Sequence, residues 1–390
     1  MYPDSLSADP CQTLQNREAM SEPAAVPAES RVRVLVIGAG QAGLSTVWYL
    51  LRGGLSMGTD VLVVDRAPAA GGAWQFRWQA LRLGTAHRVD DLPGMAEMGL
   101  RFAEADQTRP ARDVVSEYYR RWEAHHRIPV ERPVAVVSVR DDGRDLVAVL
   151  RHEDGSTRTV RSEVVVTATG TWGAPFVPWY PGRDTFRGRQ IDTTQYRSAA
   201  EFRGQDVVVV GGGTSAIGFL LELDGVARST TWCTRRPVAW AEGRAGLGLQ
   251  AAVAAVAEQD AAARAGRSLP SIVSGTGVPV SRRIRAGIDR GVLRPWPMFT
   301  SIETDGVRMT DGSFRHADAI IWATGFRPEL RHLRLLGLRT ANGGPAVVDG
   351  MSQQDGRVFF AGYGPQASTI GASRAGRRIA RQVLARLASD

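Results

Sequence analysis

Residues 31–43 read RVRVLVIGAGQAG, and their reading decides the fold. Arg31 to Ile37 is a β-branched, apolar run of the length and type of a buried strand. It runs straight into GAGQAG at 38–43 and then into the apolar stretch LSTVWYLL at 44–51. The order is strand, glycine turn, helix. In such a turn the first glycine, Gly38, permits the tight bend, Gly40 lets backbone approach a pyrophosphate, and Gly43 lets helix and strand pack closely. Phosphates would then rest on the helix N-terminus, from Gln41 onward, where free N–H groups and the helix dipole favour anions. A second strand, Asp60 to Val64, ends on Asp65, a carboxylate placed to bind ribose hydroxyls.

The pattern returns later in the chain. DVVVVGGGTSA at 206–216 is again strand then glycine turn, with Gly211, Gly213, Thr214 and Ser215 in the turn and alanine in the third glycine place. The strand that follows, Ser229 to Thr234, is succeeded by Arg235 and Arg236 instead of an acid. An arginine pair there suits a 2′-phosphate, so NADPH is expected over NADH.

Between and after these units the chain reads as α/β. Residues 113–127 form an amphipathic helix, 133–139 and 145–151 are strands joined by a DDGR turn, and Glu163 to Thr167 is a strand ending in ATG at 168–170. Pro175, Pro178 and Pro181 then break the chain at an expected domain crossing. An alanine-rich helix is predicted over 249–264, within a poorly patterned insertion at about 238–300. The strand DAIIW from 318 ends in a second ATG at 323–325, and a short strand at Val358 to Ala361 precedes GYGPQASTIGA and a basic helix, Gly371 to Leu387.

Composition sets the outer limits. The chain has 390 residues and a net charge of +8, and all its basic residues are arginine, spread along the sequence instead of clustered as on a nucleic-acid face. The absence of lysine excludes Schiff-base chemistry and any lysine phosphate clamp. Cys11 and Cys233 are far apart, so no local dithiol is available. Residues 1–30 read as a disordered tail without a signal peptide's apolar core, and no apolar run approaches the roughly 18 residues of a membrane span, so the expected location is cytoplasmic.

With both glycine turns, both ATG segments and GYGPQASTIGA in hand, the chain resembles the flavin-containing monooxygenase-like branch of the pyridine-nucleotide-disulfide oxidoreductase superfamily. The resemblance implies two Rossmann-like domains: an FAD domain from 31–175 and 324–390, with an NADPH domain from 176–323 inserted between the crossings. It further implies FAD contacts from Gly38, Gly40, Gln41, Gly43, Asp65, Arg66, Gly72, Trp74, Thr169, Gly362, Tyr363, Ser368, Thr369 and Ile370, with Thr324 and Gly325 as cofactor-binding positions at the second crossing. A helix starting near Thr369 would point its N-terminus at the flavin. Trp74, Phe76 and Trp78 could wall the ring, and His87 lies near it by position. Part of the monooxygenase fingerprint FxGxxxHxxx(Y/F/W) is present as Phe186, Gly188 and Tyr196, with Asp192 in the histidine place.

The leading expectation is therefore an NADPH-dependent flavin monooxygenase that oxygenates a small organic substrate with O2 through a peroxyflavin. Asp192, Gln195 and Tyr196 are the candidates for orienting cofactor or substrate. The alternatives are an NADPH-dependent reductase of a quinone or other small acceptor, and a noncatalytic flavoprotein redox sensor. No nucleic acid, membrane or metal partner is expected.

Overall fold

The computed structural model describes residues 29–86, 89–241, 249–270, 277–364 and 371–389. The expected tail up to residue 28, His87, and Ser368, Thr369 and Ile370 lie outside them. Glu29 and Ser30, read as tail, instead open the first strand, where they pair with Thr159 and Val160. No helix among the described residues is long and apolar enough to cross a membrane.

Two sheets organise the chain, the first mixed around a parallel centre and the second parallel throughout. The first uses β1 (Glu29–Ile37), β2 (Val61–Val64), the hairpin β3 (Val134–Asp141) and β4 (Leu146–His152), and β5 (Thr157–Thr167). The second uses β6 (Arg189–Asp192), β7 (Asp206–Val210) and β8 (Ser229–Thr234). Two short strands, β9 (Trp240–Ala241) and β10 (Val278–Pro279), pair with each other, and β11 (Trp296–Pro297) joins the edge of the second sheet at β8. A small antiparallel sheet of β12 (Phe299–Glu303), β13 (Gly306–Met309) and β14 (Phe314–His316) follows. Then β15 (Ala319–Trp322) returns to the second sheet, and β16 (Val347–Val348), β17 (Met351–Ser352) and β18 (Val358–Phe360) return to the first.

The strand orders are β16-β17-β18-β5-β1-β2 in the first sheet, with the β3–β4 hairpin attached to β5, and β11-β8-β7-β15-β6 in the second. All the second sheet's strands lie, in sequence, between the two contributions to the first. In both sheets the central strands are apolar on both faces, as parallel strands covered on both sides must be. Val34, Val36 and Val63 pack toward α1 (Gln41–Arg52) and α2 (Ala111–His125), while Leu35, Ile37 and Val165 face the other core. Val207, Val209 and Ile321 pack with α3 (Thr214–Leu223), and Val208, Val210 and Ile320 face Phe299 and Met309 of the small sheet. Among the described residues the remaining α-helices are α4 (Leu249–Arg264), α5 (Arg282–Asp289) and α6 (Ala372–Leu387), which begins at Ala372 after Gly371.

Candidate cofactor site

The two glycine turns sit at the C-terminal edges of the two sheets, where ligands of open parallel sheets bind. Gly38 has φ +104°, and a Cβ there would stand 2.5 Å from the Ala168 carbonyl oxygen. β1 and β5 end side by side, with the Ala168 N–H donating to the Ile37 carbonyl at 2.7 Å. Gly211 repeats this in the second sheet, with φ +131° and the Ala323 carbonyl 2.2 Å from a virtual Cβ. A Cβ on Gly43 would fall 1.9 Å from the Gly38 oxygen, so helix and turn are in contact through bare backbone.

The helices that follow are left open to an anion. α1 starts at Gln41 behind Gly40, and α3 at Thr214 behind Gly213, neither with a side-chain cap nor an acid in its first turn. Leading N–H groups of a helix, such as those of Thr214 and Ser215 in α3, have no intrahelical acceptor. Gly72 passes over Gly40, its virtual Cβ only 2.8 Å from the Gly40 Cα, and Gly213 has open space where a side chain would stand. Gly362 sits against α1, 3.3 Å from the Ala42 Cβ by the same measure, and Tyr363 beside it is buried, which pushes its hydroxyl up to about 12. These features fit a dinucleotide at each turn.

Asp65 stands at the end of β2 as expected, but both oxygens already accept backbone donors. Oδ2 takes the Ala39 N–H at 2.6 Å and Oδ1 the Ala67 N–H at 2.8 Å. With 9% of its surface exposed, it visibly pins the first glycine turn. Arg66 reaches Glu329 at 3.8 Å, and Arg331 holds the same carboxylate by two bonds of 2.8 Å. Burial opposes ionisation of Glu329, yet the two guanidiniums hold its carboxyl below the usual range.

The two ATG segments run against each other. Phe176 donates its N–H to Gly325, Arg327 to Ala174 and Glu329 to Gly170. Thr169 Oγ1 donates to the Glu329 carbonyl at 2.6 Å, and Thr324 Oγ1 to the Phe176 carbonyl. Thr167 meets His332 Nε2 at 3.0 Å, and burial pushes this imidazole down to about 4, so it is neutral at pH 7. Trp172 and Phe326 stack between the segments at 5.2 Å.

The three aromatics after the first turn diverge instead of forming one wall. Trp74 is buried in the first core, Phe76 is 37% exposed, and Trp78 is buried in the core of the second sheet. The short 3-10 helix over Gly72–Phe76 and the turn after it send successive rings to different places.

Asp192, Gln195 and Tyr196 have internal partners. Asp192 ends β6, and its Oδ1 accepts the Thr194 N–H at 2.7 Å and hydroxyl at 2.6 Å, while Gln195 Oε1 accepts the Asp192 N–H at 3.0 Å. Tyr196, 1% exposed, stacks on Phe219 at 4.0 Å and donates its hydroxyl to Glu222 Oε2 at 3.1 Å. Glu222 Oε1 accepts the Trp78 Nε1–H at 2.7 Å. The Trp78–Glu222–Tyr196 clasp was not foreseen, since nothing in the spacing of these residues brings them together.

Burial raises the Glu222 pKa, and the two donors only partly offset it. A carboxyl whose folded pKa lies above its unfolded one takes up protons on folding, so its contribution to stability falls as pH rises through that interval. Glu222→Gln is therefore expected to flatten this slope, gaining on the wild type between pH 5 and pH 8 in urea-unfolding midpoints. Glu222→Ala strands two buried donors and is expected to cost about 1–3 kcal/mol at both pH values.

Arg235 and Arg236 follow β8 and are exposed, beside the turn whose Gly211 N–H donates to Cys233. Cys233 is buried and free, and burial pushes its thiol up to about 12, so it is no thiolate nucleophile at neutral pH.

The pyridine nucleotide-disulphide oxidoreductase family matches residues 35–247, more than half of the chain. The structure is similar to a flavin-containing monooxygenase from Stenotrophomonas maltophilia, 31% identical with TM-score 0.73, over 92% of this chain and 99% of that one. An oxidoreductase from Geobacillus kaustophilus, described as uncharacterized and CzcO-like, is 24% identical over 84% of this chain and 90% of its own length. The fold is also that of a bacillithiol disulfide reductase from Bacillus cereus, at 19% identity and TM-score 0.66 over 91% and 99% of the two chains. The chain belongs to the pyridine nucleotide-disulphide oxidoreductase family, in its flavin-monooxygenase-like branch, and is an oxidoreductase whose cofactors are FAD and a pyridine nucleotide.

Proposed function

We propose that the chain is an NADPH-dependent flavin monooxygenase acting on a small organic substrate with O2. In this reading residues 31–175 and 324–390 form the FAD-binding domain and 176–323 the NADPH-binding domain. The observation that carries it is the pair of uncapped glycine-turn helices at the C-terminal edges of two sheets, tied together by antiparallel crossing segments. The turn at Gly38–Gly43 would hold the FAD pyrophosphate, with Gly72 and Gly362 closing over it, and the turn at Gly211–Ser215 the NADPH pyrophosphate. When bound, FAD supplies the chemistry: it accepts a hydride from NADPH and, once reduced, activates O2.

The protein's own residues bind and orient. Thr169, Thr324 and Gly325 fix the crossings, Asp65 fixes the first turn, and the Trp78–Glu222 contact fixes the second domain against the first. Asp192 and Gln195 would act by holding the turn after β6, and Tyr196 by bearing on Glu222. A dithiol reductase mechanism is opposed by the enclosed Cys233.

The test is anaerobic stopped-flow reduction of the FAD-loaded protein by NADPH, followed by mixing with oxygenated buffer. A long-lived spectral species distinct from both oxidised and reduced cofactor supports oxygenation. Direct return to the oxidised spectrum in every oxygen concentration and with every candidate substrate would favour the reductase. For Arg235→Ser with Arg236→Ser, loss of charge-assisted bonds to the 2′-phosphate is expected to raise the KM for NADPH about 10- to 100-fold and leave NADH unchanged. Steady-state oxidation of both nucleotides measures it, and an equal effect on NADH would remove the pair from the 2′-phosphate site.

A further inference from the structure

Arg77 differs from those enclosed arginines of this chain that a carboxylate holds. Arg132 is bound to Glu123, Arg357 to Asp355 and Arg158 to Glu131. Arg77 has no carboxylate partner among the described residues, and its Nε is fully enclosed without an acceptor. Its guanidinium lies over the Trp172 ring at 4.2 Å and the Trp74 ring at 5.6 Å. Desolvation lowers its pKa to about 10, so it keeps its charge at neutral pH with no anion beside it among the described residues.

Its place in the fold is specific. Arg77 follows the Gly72–Phe76 helix that covers the first glycine turn, Trp172 lies on the first crossing, and Phe326, stacked on Trp172, lies on the second. The cage therefore stands where the C-terminal edges of the two sheets are brought together. Aromatic faces cover a guanidinium plane but leave its N–H edge unsatisfied, and that edge matches a carboxylate in two-point geometry. The cofactor phosphates already have receptors of their own in the two open helix N-termini and in Arg235 and Arg236. A third cationic receptor calls for a third anion.

We propose that Arg77 receives the carboxylate of the substrate, and that the substrate class is small aromatic acids whose ring lies along the Trp172–Phe326 face. The proposal rests on the monooxygenase reading for calling the acid a substrate, but its test is one of binding and needs neither NADPH nor O2.

FAD-loaded full-length protein is titrated with phenylacetate, phenylacetamide and phenethylamine, following tryptophan fluorescence and the flavin difference spectrum. Phenylacetate is expected to bind at least about tenfold more tightly than the other two, the scale of one charged hydrogen-bonded contact. Arg77→Gln is expected to abolish that preference with FAD content unchanged, and Arg77→Lys to keep part of it. Equal binding of acid and amide by the wild type overturns the proposal whatever the variants do. Loss of FAD from both Arg77 variants also overturns it, because the anion would then belong to the cofactor. Failure to oxygenate any substrate, with the acid preference intact, would count against the monooxygenase reading alone.

Discussion

Gly43→Ala will purify with little or no FAD. The added methyl has to occupy a point 1.9 Å from the Gly38 carbonyl oxygen, and both partners are backbone, so no side-chain rotation relieves the contact. Either α1 moves away from the turn or the turn opens, and both changes spoil the row of N–H groups on which the pyrophosphate rests. Losing one or two charge-assisted bonds corresponds to a fall of about 100-fold or more in FAD affinity, with a stability loss of about 1–3 kcal/mol from overpacking. FAD content by absorbance and reconstitution of the apoprotein measure the first effect, and urea unfolding of the apoprotein the second. Gly54→Ala is the control: it lies just beyond the same helix at φ +98° with nothing within 4 Å, so it adds backbone strain without touching the turn. A Gly43→Ala protein with full FAD and unchanged affinity would remove Gly38–Gly43 from the cofactor site.

Trp78→Ala is expected to lose about 3–5 kcal/mol, the cost of emptying a large buried aromatic site. The ring is 4% exposed and touches Phe219 at 4.9 Å and Tyr196 at 5.9 Å, so no solvent-facing relaxation is available to it. Its place in the chain adds a second effect. Trp78 comes from the segment that covers the first glycine turn, yet it is embedded in the core under α3, so it fixes one cofactor's platform against the other's. A displacement near 1 Å between reacting groups costs about 100-fold in rate, and single-turnover reduction by NADPH is expected to slow by that order while FAD stays bound. Trp78→Phe separates the two roles: it keeps most of the apolar fill but takes the Nε1–H from Glu222, so its stability loss will be smaller. Unaltered reduction in Trp78→Ala would show that the clasp stabilises the second core without aligning the cofactors.

These two residues also mark the limits of what the chain alone discloses. Gly43 was legible because a glycine turn between a β-branched strand and an apolar helix constrains backbone over a dozen neighbouring positions. The helix over 249–264 and the strand over 229–234 were legible for the same local reason. Trp78 was not, because its neighbours in space, Tyr196 and Phe219, are more than a hundred residues away and no period links them. β6, four residues long with polar Arg189 and Gln190, carried no strand signal until Ile191 and its ladder to β15 were seen. The antiparallel strands β12–β14 mix exposed and buried positions too irregularly to show alternation. Arg77 was hidden by composition: among many arginines, only its place over the Trp172 ring at the first crossing sets it apart.

The position of β18 bears on how the chain acquires its form. This strand, Val358–Phe360, joins the first sheet along the edge of β5, and α6 then packs on α1 through a Gly376 whose virtual Cβ lies 2.7 Å from Ser45. During synthesis β1, β2 and β5 leave the ribosome nearly two hundred residues before the strand and helix that complete their sheet and cover. Every strand of the second sheet emerges in that interval, so the inserted unit can close while its host is still missing an edge. The nascent first half must therefore wait with the Val165–Thr167 end of β5 unpaired on one edge and α1 uncovered, and the closure that finally seats the chain's end pairs segments at very long sequence separation, the slow kind of contact.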